Sequence, residues 1–430
     1  MCRFGVAVAA ILPAAFPAAA CAQQADMLEE FENEGFAFGR RDIVGVRDRP
    51  QPEYDPVPIR IGSTEFMPSI GMYTFYDDNI FADLDAKDDL VVRVRPSLSS
   101  ASRVDSLTLT TSAEIDQRQY LGTSSQSTTD YALGVRGRYD VSRDTRLYAG
   151  TLNGRRTENR TDPDSPLNLR RPVQYDYASA FLAGAHSSGR LEMATRVAAE
   201  TRNYSDGRDG LGALVDQDFR NRTLLTADAA AGYAISPAVA VFVNAALNDR
   251  DYARQPGAAP SRNSSGYRLA AGSSFEVGSL LRGQFDIGYF SQNFADTRFD
   301  DVGGLAARVK LEYFPTPLLT LTARARRGVE ESSTIGSGAF VATAFSLTAD
   351  YEFLRNVAFT ASIAQEKNSF TDIDRRYRIY GAELSADWKL SPRFALQLRY
   401  EYRDQNAVGT FVGREFTRHV LTAGIRIAGL

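Results

Sequence analysis

The sequence is poor in the residues that most often carry out chemistry. Its two cysteines, Cys2 and Cys21, both lie near the N-terminus, and its two histidines are His186 and His419. Neither histidine stands beside a nucleophile or at a metal-ligand spacing, so no hydrolase or metal motif is assembled locally. No Gly-rich phosphate loop separates a strand from a helix. The chain is therefore read as a non-enzyme, with no catalytic residue, cofactor or metal expected. After the first residues no run approaches the roughly 18 apolar residues of a helical span, and the mean hydropathy of -0.28 is too polar for a helical membrane bundle. The formal net charge of -4 excludes a general nucleic-acid binder, so no nucleic-acid partner is expected. Lysine is scarce as well. Of 49 basic residues only Lys87, Lys310, Lys367 and Lys389 are lysines, and the rest are arginines.

What the N-terminus does contain is Arg3, an apolar stretch from Phe4 to Ala20, and the small-residue pattern Ala20-Cys21-Ala22. This is the layout of a secretory leader, expected over residues 1–22. Both cysteines then leave with it, and the mature chain needs no disulfide. A lipidated Cys21 is the competing reading, weakened by the missing leucine of a lipobox. Residues 23–63, acidic first and then rich in Arg and Pro, are expected to form a solvated periplasmic extension. A short helix is expected around Met27 to Glu34, with docking to a partner as the alternative role.

From Glu65 onward the dominant signal has period two, which places successive side chains on opposite faces of a strand. In residues 394–403, Phe394, Leu396, Leu398, Tyr400 and Tyr402 oppose Gln397, Arg399, Glu401 and Arg403. Residues 305–313, 319–326 and 380–390 alternate in the same way. Tight turns are expected around Ser102, Arg143, Ser188, Pro237, Gly278, Pro315, Arg355 and Pro392. Several follow an aromatic residue: Tyr139, Tyr233, Phe275, Tyr313, Phe353 or Trp388. Longer polar connections lie between these turns. Aromatics at one end of the hairpins, with short turns at that end and long loops at the other, form the pattern of an outer-membrane barrel. Eight hairpins plus a strand at each end make about eighteen strands. The expected fold is thus all-β: a transmembrane antiparallel up-and-down β-barrel over residues 64–430, with short periplasmic turns and longer extracellular loops. Outer-membrane lipid is its surrounding partner. The strands close because an unpaired backbone group in hydrocarbon costs several kcal/mol.

The segment Tyr76-Asp77-Asp78-Asn79-Ile80-Phe81, just after the first strand, resembles the signature at the first hairpin of the putative beta-barrel porin 2 family. That resemblance implies an outer-membrane barrel, and in some members one that accompanies exopolysaccharide export with a periplasmic export component. The last strand, Thr422 to Leu430, is similar to the assembly signal of such barrels, with Gly424 and Ile427 in place and Leu430 where an aromatic is usual. This implies the insertion machinery as a partner.

With apolar faces toward lipid, parity points Arg136, Arg138, Arg196, Arg202, Arg282, Arg308, Lys310, Arg324, Arg326, Arg399, Arg403 and Arg426 into the lumen. Acids such as Glu200, Asp286, Glu312, Asp350, Glu352, Glu383, Asp387 and Glu401 are interleaved with them. Arginine forks hold carboxylate or phosphate, so this face reads as a guide for a polar, anionic solute, polysaccharide included. Alternatively, the arginines pair with the acids and stiffen the wall. Three further readings remain open. Loops such as Arg160 to Arg171 fold inward and leave a plugged, structural or adhesive barrel. His419 serves a barrel-borne hydrolase. Asp296, Asp300 and Asp301 hold a cation, against solvated loop acids.

Overall fold

The computed structural model describes residues 44–163, 165–166, 169–252, 260–334 and 336–429. The expected leader and the helix expected around Met27 to Glu34 lie outside the described residues. Eighteen long strands form one antiparallel sheet. They are β1 Thr64–Asp77, β2 Asp89–Val104, β3 Leu107–Tyr120, β4 Thr128–Asp140, β5 Thr145–Thr157, β6 Gln174–Ser188, β7 Leu191–Tyr204, β8 Arg222–Ser236 and β9 Val239–Tyr252. Then follow β10 Ser264–Val277, β11 Leu281–Phe294, β12 Val302–Thr316, β13 Leu319–Glu331, β14 Ala339–Leu354, β15 Val357–Phe370, β16 Arg376–Lys389, β17 Phe394–Val408 and β18 Phe416–Ala428. Each strand pairs with its neighbours in sequence, and β18 pairs with β1 from Ser69↔Ala428 to Asp77↔Val420. The sheet is therefore a closed cylinder, with no edge left to satisfy.

The outer surface is apolar to a degree no aqueous protein sustains. Leu182 is 68% exposed, Val197 60%, Leu269 58% and Leu384 58%, all on the outward parity of long strands. Aromatic belts bound this band. Tyr139, Tyr233, Tyr313, Phe353 and Trp388 point outward near the short turns, and Tyr76, Tyr131, Tyr267, Tyr289 and Tyr380 near the long loops. Amphipathic rings settle at the level of lipid headgroups, so the two belts mark the two interfaces.

The short turns fall between the strands expected to flank them, with two displacements. The turn expected around Pro315 is at Pro317 and Leu318, after β12 has run on to Thr316. The turn expected around Ser102 is at Asp105 and Ser106, where Asp105 has φ 50°. The serine run from Ser97 to Ser102 reads locally as a turn, yet its hydroxyls serve as cross-strand partners: Ser97 Oγ meets Ser69 Oγ at 2.7 Å and Ser100 Oγ meets Thr111 Oγ1 at 2.8 Å. Sheet pairing outweighs the turn preference of serine here. Two glycines are required by close approach. On the inward parity of β10 and β11, a Cβ at Gly272 or Gly288 would strike the carbonyl oxygen of Phe285 or Leu269 on the adjacent strand, so the wall folds tightly at this corner.

Residues 44–57 do not trail away into solvent as an extension would. Val46 is 3% exposed and its N–H donates to Thr320 Oγ1 of β13 at 3.0 Å. The chain then forms a short strand, Ile59–Ile61, that turns at Gly62 (φ +61°) and pairs with the start of β1. Composition suggested a solvated lead because Arg, Asp and Pro dominate it. The same charges find counter-charges inside the barrel mouth.

Candidate functional site: the lumen

All twelve basic residues expected to face inward lie on the parity of the inner wall: Arg136 and Arg138 on β4, Arg196 and Arg202 on β7, and Arg282 on β11. Arg308 and Lys310 are on β12, Arg324 and Arg326 on β13, Arg399 and Arg403 on β17, and Arg426 on β18. Many are engaged by the wall itself. Arg138 bonds Asp140 (2.9 Å), Arg202 bonds Glu200 (2.7 Å), Arg308 bonds Asp286 (2.9 Å), and Arg326 bonds Glu330 (2.9 Å). Arg282 pairs with Glu312, which the register sets directly opposite. Arg399 lies 3.5 Å from Glu383 and 3.8 Å from Glu401. Arg136 and Arg196 sit over the rings of Tyr148 and Phe181. Pairs within a charged wall of this kind stiffen it and keep it wetted.

Like charges meet directly at several places on the wall, as at Arg93↔Arg118, Arg202↔Arg222, Arg403↔Arg418 and Glu383↔Glu401, but among the described residues only one stretch stacks two cation pairs at successive inward positions. The register of β12 and β13 puts Arg308 opposite Arg326 and Lys310 opposite Arg324. Four cations thus form two like-charge pairs, one above the other. Such pairs cost roughly 0.2–1 kcal/mol each relative to neutral neighbours.

Toward the long loops the lumen narrows in two ways that alternation does not reveal. Pairing of β12 with β13 runs from the short turn only as far as Ala307↔Arg327. Beyond it the end of β13 peels off, and Glu331, which strict parity would turn outward, reaches across to Arg222 of β8 (2.6 Å) and Arg250 of β9 (2.9 Å). On the other side the loop after β5 folds inward. Arg403 of β17 donates to Thr161 O at 3.1 Å, and Arg414, in the loop before β18, donates to Arg160 O and Pro166 O. Arg160 in turn holds Gln126 Oε1 (2.9 Å) and Leu169 O (2.8 Å). The inward folding weighed for Arg160 to Arg171 is thus present over the described part of that loop.

Inside this loop, burial together with Glu158 pushes the Asp162 carboxyl up to about 7, while Arg403 acts the other way. Arg414 also lies in its field. The folded loop therefore binds a proton that the free loop releases near pH 4. Its docking is strongest below about pH 4 and weakens as pH rises through about 7. Trypsin should cut after Arg160 or Arg170 severalfold faster, relative to Asp162→Asn protein, at pH 8 than at pH 6. An equal ratio at the two pH values removes this role for Asp162.

The other expectations fall as follows. His419 faces outward, with its ring beside Tyr400 and Tyr402 and its Nδ1 2.8 Å from Tyr400 Oη. His186 bonds Thr145 Oγ1 at 2.9 Å beside a short turn. Asp296 is taken by Arg298 (2.7 Å), Asp301 accepts from Phe294 N, and the backbone N–H of Asp300 donates to Asp372, so the acid trio does not converge. Sequence reasoning missed Arg222, Arg250, Glu331, Arg414 and Arg418. Parity extended to the strand ends would have found Arg222, Arg250 and Arg418. Glu331 and Arg414 carry no local signal.

The signature after β1 has a defined place. Asp77 is fully buried and accepts from Arg418 of β18 at 2.9 and 2.6 Å, as well as from Asn79 N at 3.0 Å. Asp78 and the backbone of His419 exchange hydrogen bonds of 3.2 and 2.7 Å, and Asn79 Nδ2 donates to Thr417 O (3.0 Å). The motif carries the seam between first and last strands past the end of their ladder.

A closed cylinder with an apolar belt outside, charged residues inside, and short turns opposite long loops is a β-barrel of the outer membrane. Residues 51–428 match the family model described as putative beta-barrel porin 2, and the chain belongs to that family. No curated protein matches it. Among solved structures it is similar to a ferric enterobactin receptor mutant (PfeA) of Pseudomonas aeruginosa, at 8% identity and TM-score 0.49, covering 84% of this chain and 80% of that one. It is also similar to OccK2 (OpdF) of the same organism in complex with glucuronate (11%, TM-score 0.46, 86% and 99%). OccAB3 of Acinetobacter baumannii is a third such structure (12%, TM-score 0.46, 86% and 100%).

Proposed function

We propose that this porin-family barrel is a passive conduit for polar, anionic solutes, and that the paired cations Arg308, Arg326, Lys310 and Arg324 are its guiding track. The observation that carries the reading is the direct opposition of like charges in the register of β12 and β13. Single cation oppositions occur elsewhere, as at Arg202↔Arg222 and Arg403↔Arg418, whereas two stacked pairs concentrate four positive charges beside strands that otherwise set acid against cation, as at Asp286↔Arg308 and Arg282↔Glu312. Concentrated guanidinium and ammonium groups on one side of an aqueous lumen hold carboxylates or phosphates without a closed pocket. Carboxylated saccharides fit this chemistry, and exopolysaccharide export is the specific form favoured by the sequence resemblance. Such a polymer would have to thread between the inward loop and the Glu331 bridge. Arg308 and Arg326 of the track are themselves anchored by Asp286 and Glu330, which fixes their positions along the wall, and the remaining lumen-facing arginines serve mainly as wall.

The inward loop also favours a second reading, a structural or adhesive barrel with its lumen plugged. Planar-bilayer recording of the refolded protein separates the two. The conduit gives discrete, anion-selective channels in a potassium chloride gradient. Absence of channels at every voltage establishes the plug.

A further inference from the structure

The inner wall at the periplasmic mouth carries a surface of opposite sign to the cation track. Asp350 and Glu352 of β14 and Asp387 of β16 point inward there, next to the short turns. This acidic face is already occupied by the chain's own N-terminal side. Arg47 Nε lies 3.0 Å from Asp350 Oδ1 and 3.1 Å from Thr360 Oγ1, and Arg47 NH1 lies 2.6 Å from Asp387 Oδ2. Arg49 bonds Glu352, itself 3% exposed, and Pro317 O. Planar forks meeting carboxylates and a hydroxyl on three adjacent strands make a site shaped for guanidinium.

The segment between these anchors is a strap. Asp48 N bonds Gly45 O in one turn, and Asp55 N bonds Gln51 O in the next. Between the anchors and the sheet, Lys389 of β16 holds Asp55 at 2.7 Å. Four of these fastenings are ion pairs and three are hydrogen bonds, to Thr320, Thr360 and the Pro317 carbonyl, and Val46 is the buried apolar anchor. Ion pairs of this type are individually weak and screened by salt, so the strap is fastened by many small, reversible contacts.

We propose that residues 44–55 are a releasable strap lining the periplasmic mouth along β13 to β16, and that the acidic face of β14 to β16 is a guanidinium-binding site. In the closed state this site holds Arg47 and Arg49, and once the strap is released it takes a guanidinium-bearing solute. Release widens the mouth and uncovers the acids, which lie on the same wall as the cation track, on the strands after β13 and nearer the short turns. The inference rests on the conduit reading only for what the strap controls. The strap and its site are tested separately.

The test uses full-length protein purified from the outer membrane, with Val46→Cys as a buried reporter and unsubstituted protein as the blank. A polyethylene-glycol maleimide too bulky to enter the lumen should label it slowly. Adding Arg47→Ala and Arg49→Ala should raise the labelling rate severalfold, and free arginine should raise it in the parent beyond sodium chloride of equal ionic strength. In planar bilayers the same double substitution should increase conductance, and a Val46→Cys/Thr320→Cys disulfide should hold the smallest conductance until reduced. Unchanged labelling in the double variant, or no response to arginine beyond matched salt, overturns the proposal. If labelling behaves as expected and yet no variant conducts, the strap stands and the conduit reading fails.

Discussion

Replacing Asp77 by alanine is expected to cost about 3–5 kcal/mol of barrel stability, the largest effect of any single substitution considered, because it leaves the Arg418 guanidinium inside the wall with no carboxylate to meet it. Asp77 has no exposed surface and fills both hydrogen-bonding positions of the Arg418 fork. The site is also the seam. Beyond Asp77↔Val420 the two strands are joined by one backbone bond, Asp78 N to His419 O, and otherwise through the side chains of Asp78 and Asn79, which depend on the Asp77 turn for their placement. The cost should show as a lower urea midpoint in detergent micelles and as loss of the compact band on unheated gels. Asp77→Ala combined with Arg418→Leu should recover much of the loss, since removing both charges removes the stranded one. A midpoint within about 0.5 kcal/mol of the parent for Asp77→Ala would show that the backbone ladder alone closes the barrel.

Reversing two charges of the cation track, Lys310→Glu with Arg324→Glu, is expected to shift the cation-to-anion permeability ratio by about two orders of magnitude toward cations. A unit charge about 6 Å from a permeating ion in water contributes about 0.7 kcal/mol, and the double reversal swings four units. Screening at about 0.1 M salt removes roughly half, leaving about 1.4 kcal/mol of opposite sign for cation and anion, about tenfold for each ion and about a hundredfold in their permeability ratio. The measurement is the reversal potential in a potassium chloride gradient. Because these residues face one another across β12 and β13, the variant also removes one like-charge pair and introduces another, so stability should change little. An unchanged reversal potential means that permeating ions pass beyond the reach of this wall.

Much of the architecture was legible because it is local. Alternation in residues 305–313 and 394–403 follows from the pleat of a single strand, and it assigns Arg308 and Arg399 to one face without knowledge of any neighbour. Trp388, Tyr313 and Phe353 announce an interface by residue type and by distance from a turn. The serine run before Asp105 misled because serine suits both a turn and a hydroxyl ladder, and only the partner strand decides. Arg47 and Arg49 were read as solvated for a related reason: their counter-charges lie some three hundred residues away.

By itself the sequence determined that the chain is a cylinder of antiparallel strands, apolar outside and charged inside, because parity, turn chemistry and interface aromatics are properties of a few adjacent residues. Only the tertiary structure decided which charges neutralise one another, that Glu331 turns inward to bridge the lumen, and that the segment before β1 lies along the mouth wall from β13 to β16 rather than reaching the far side. Those outcomes depend on which strands closure brings together and on where the end of one strand leaves its neighbour, and neither is written in any local period.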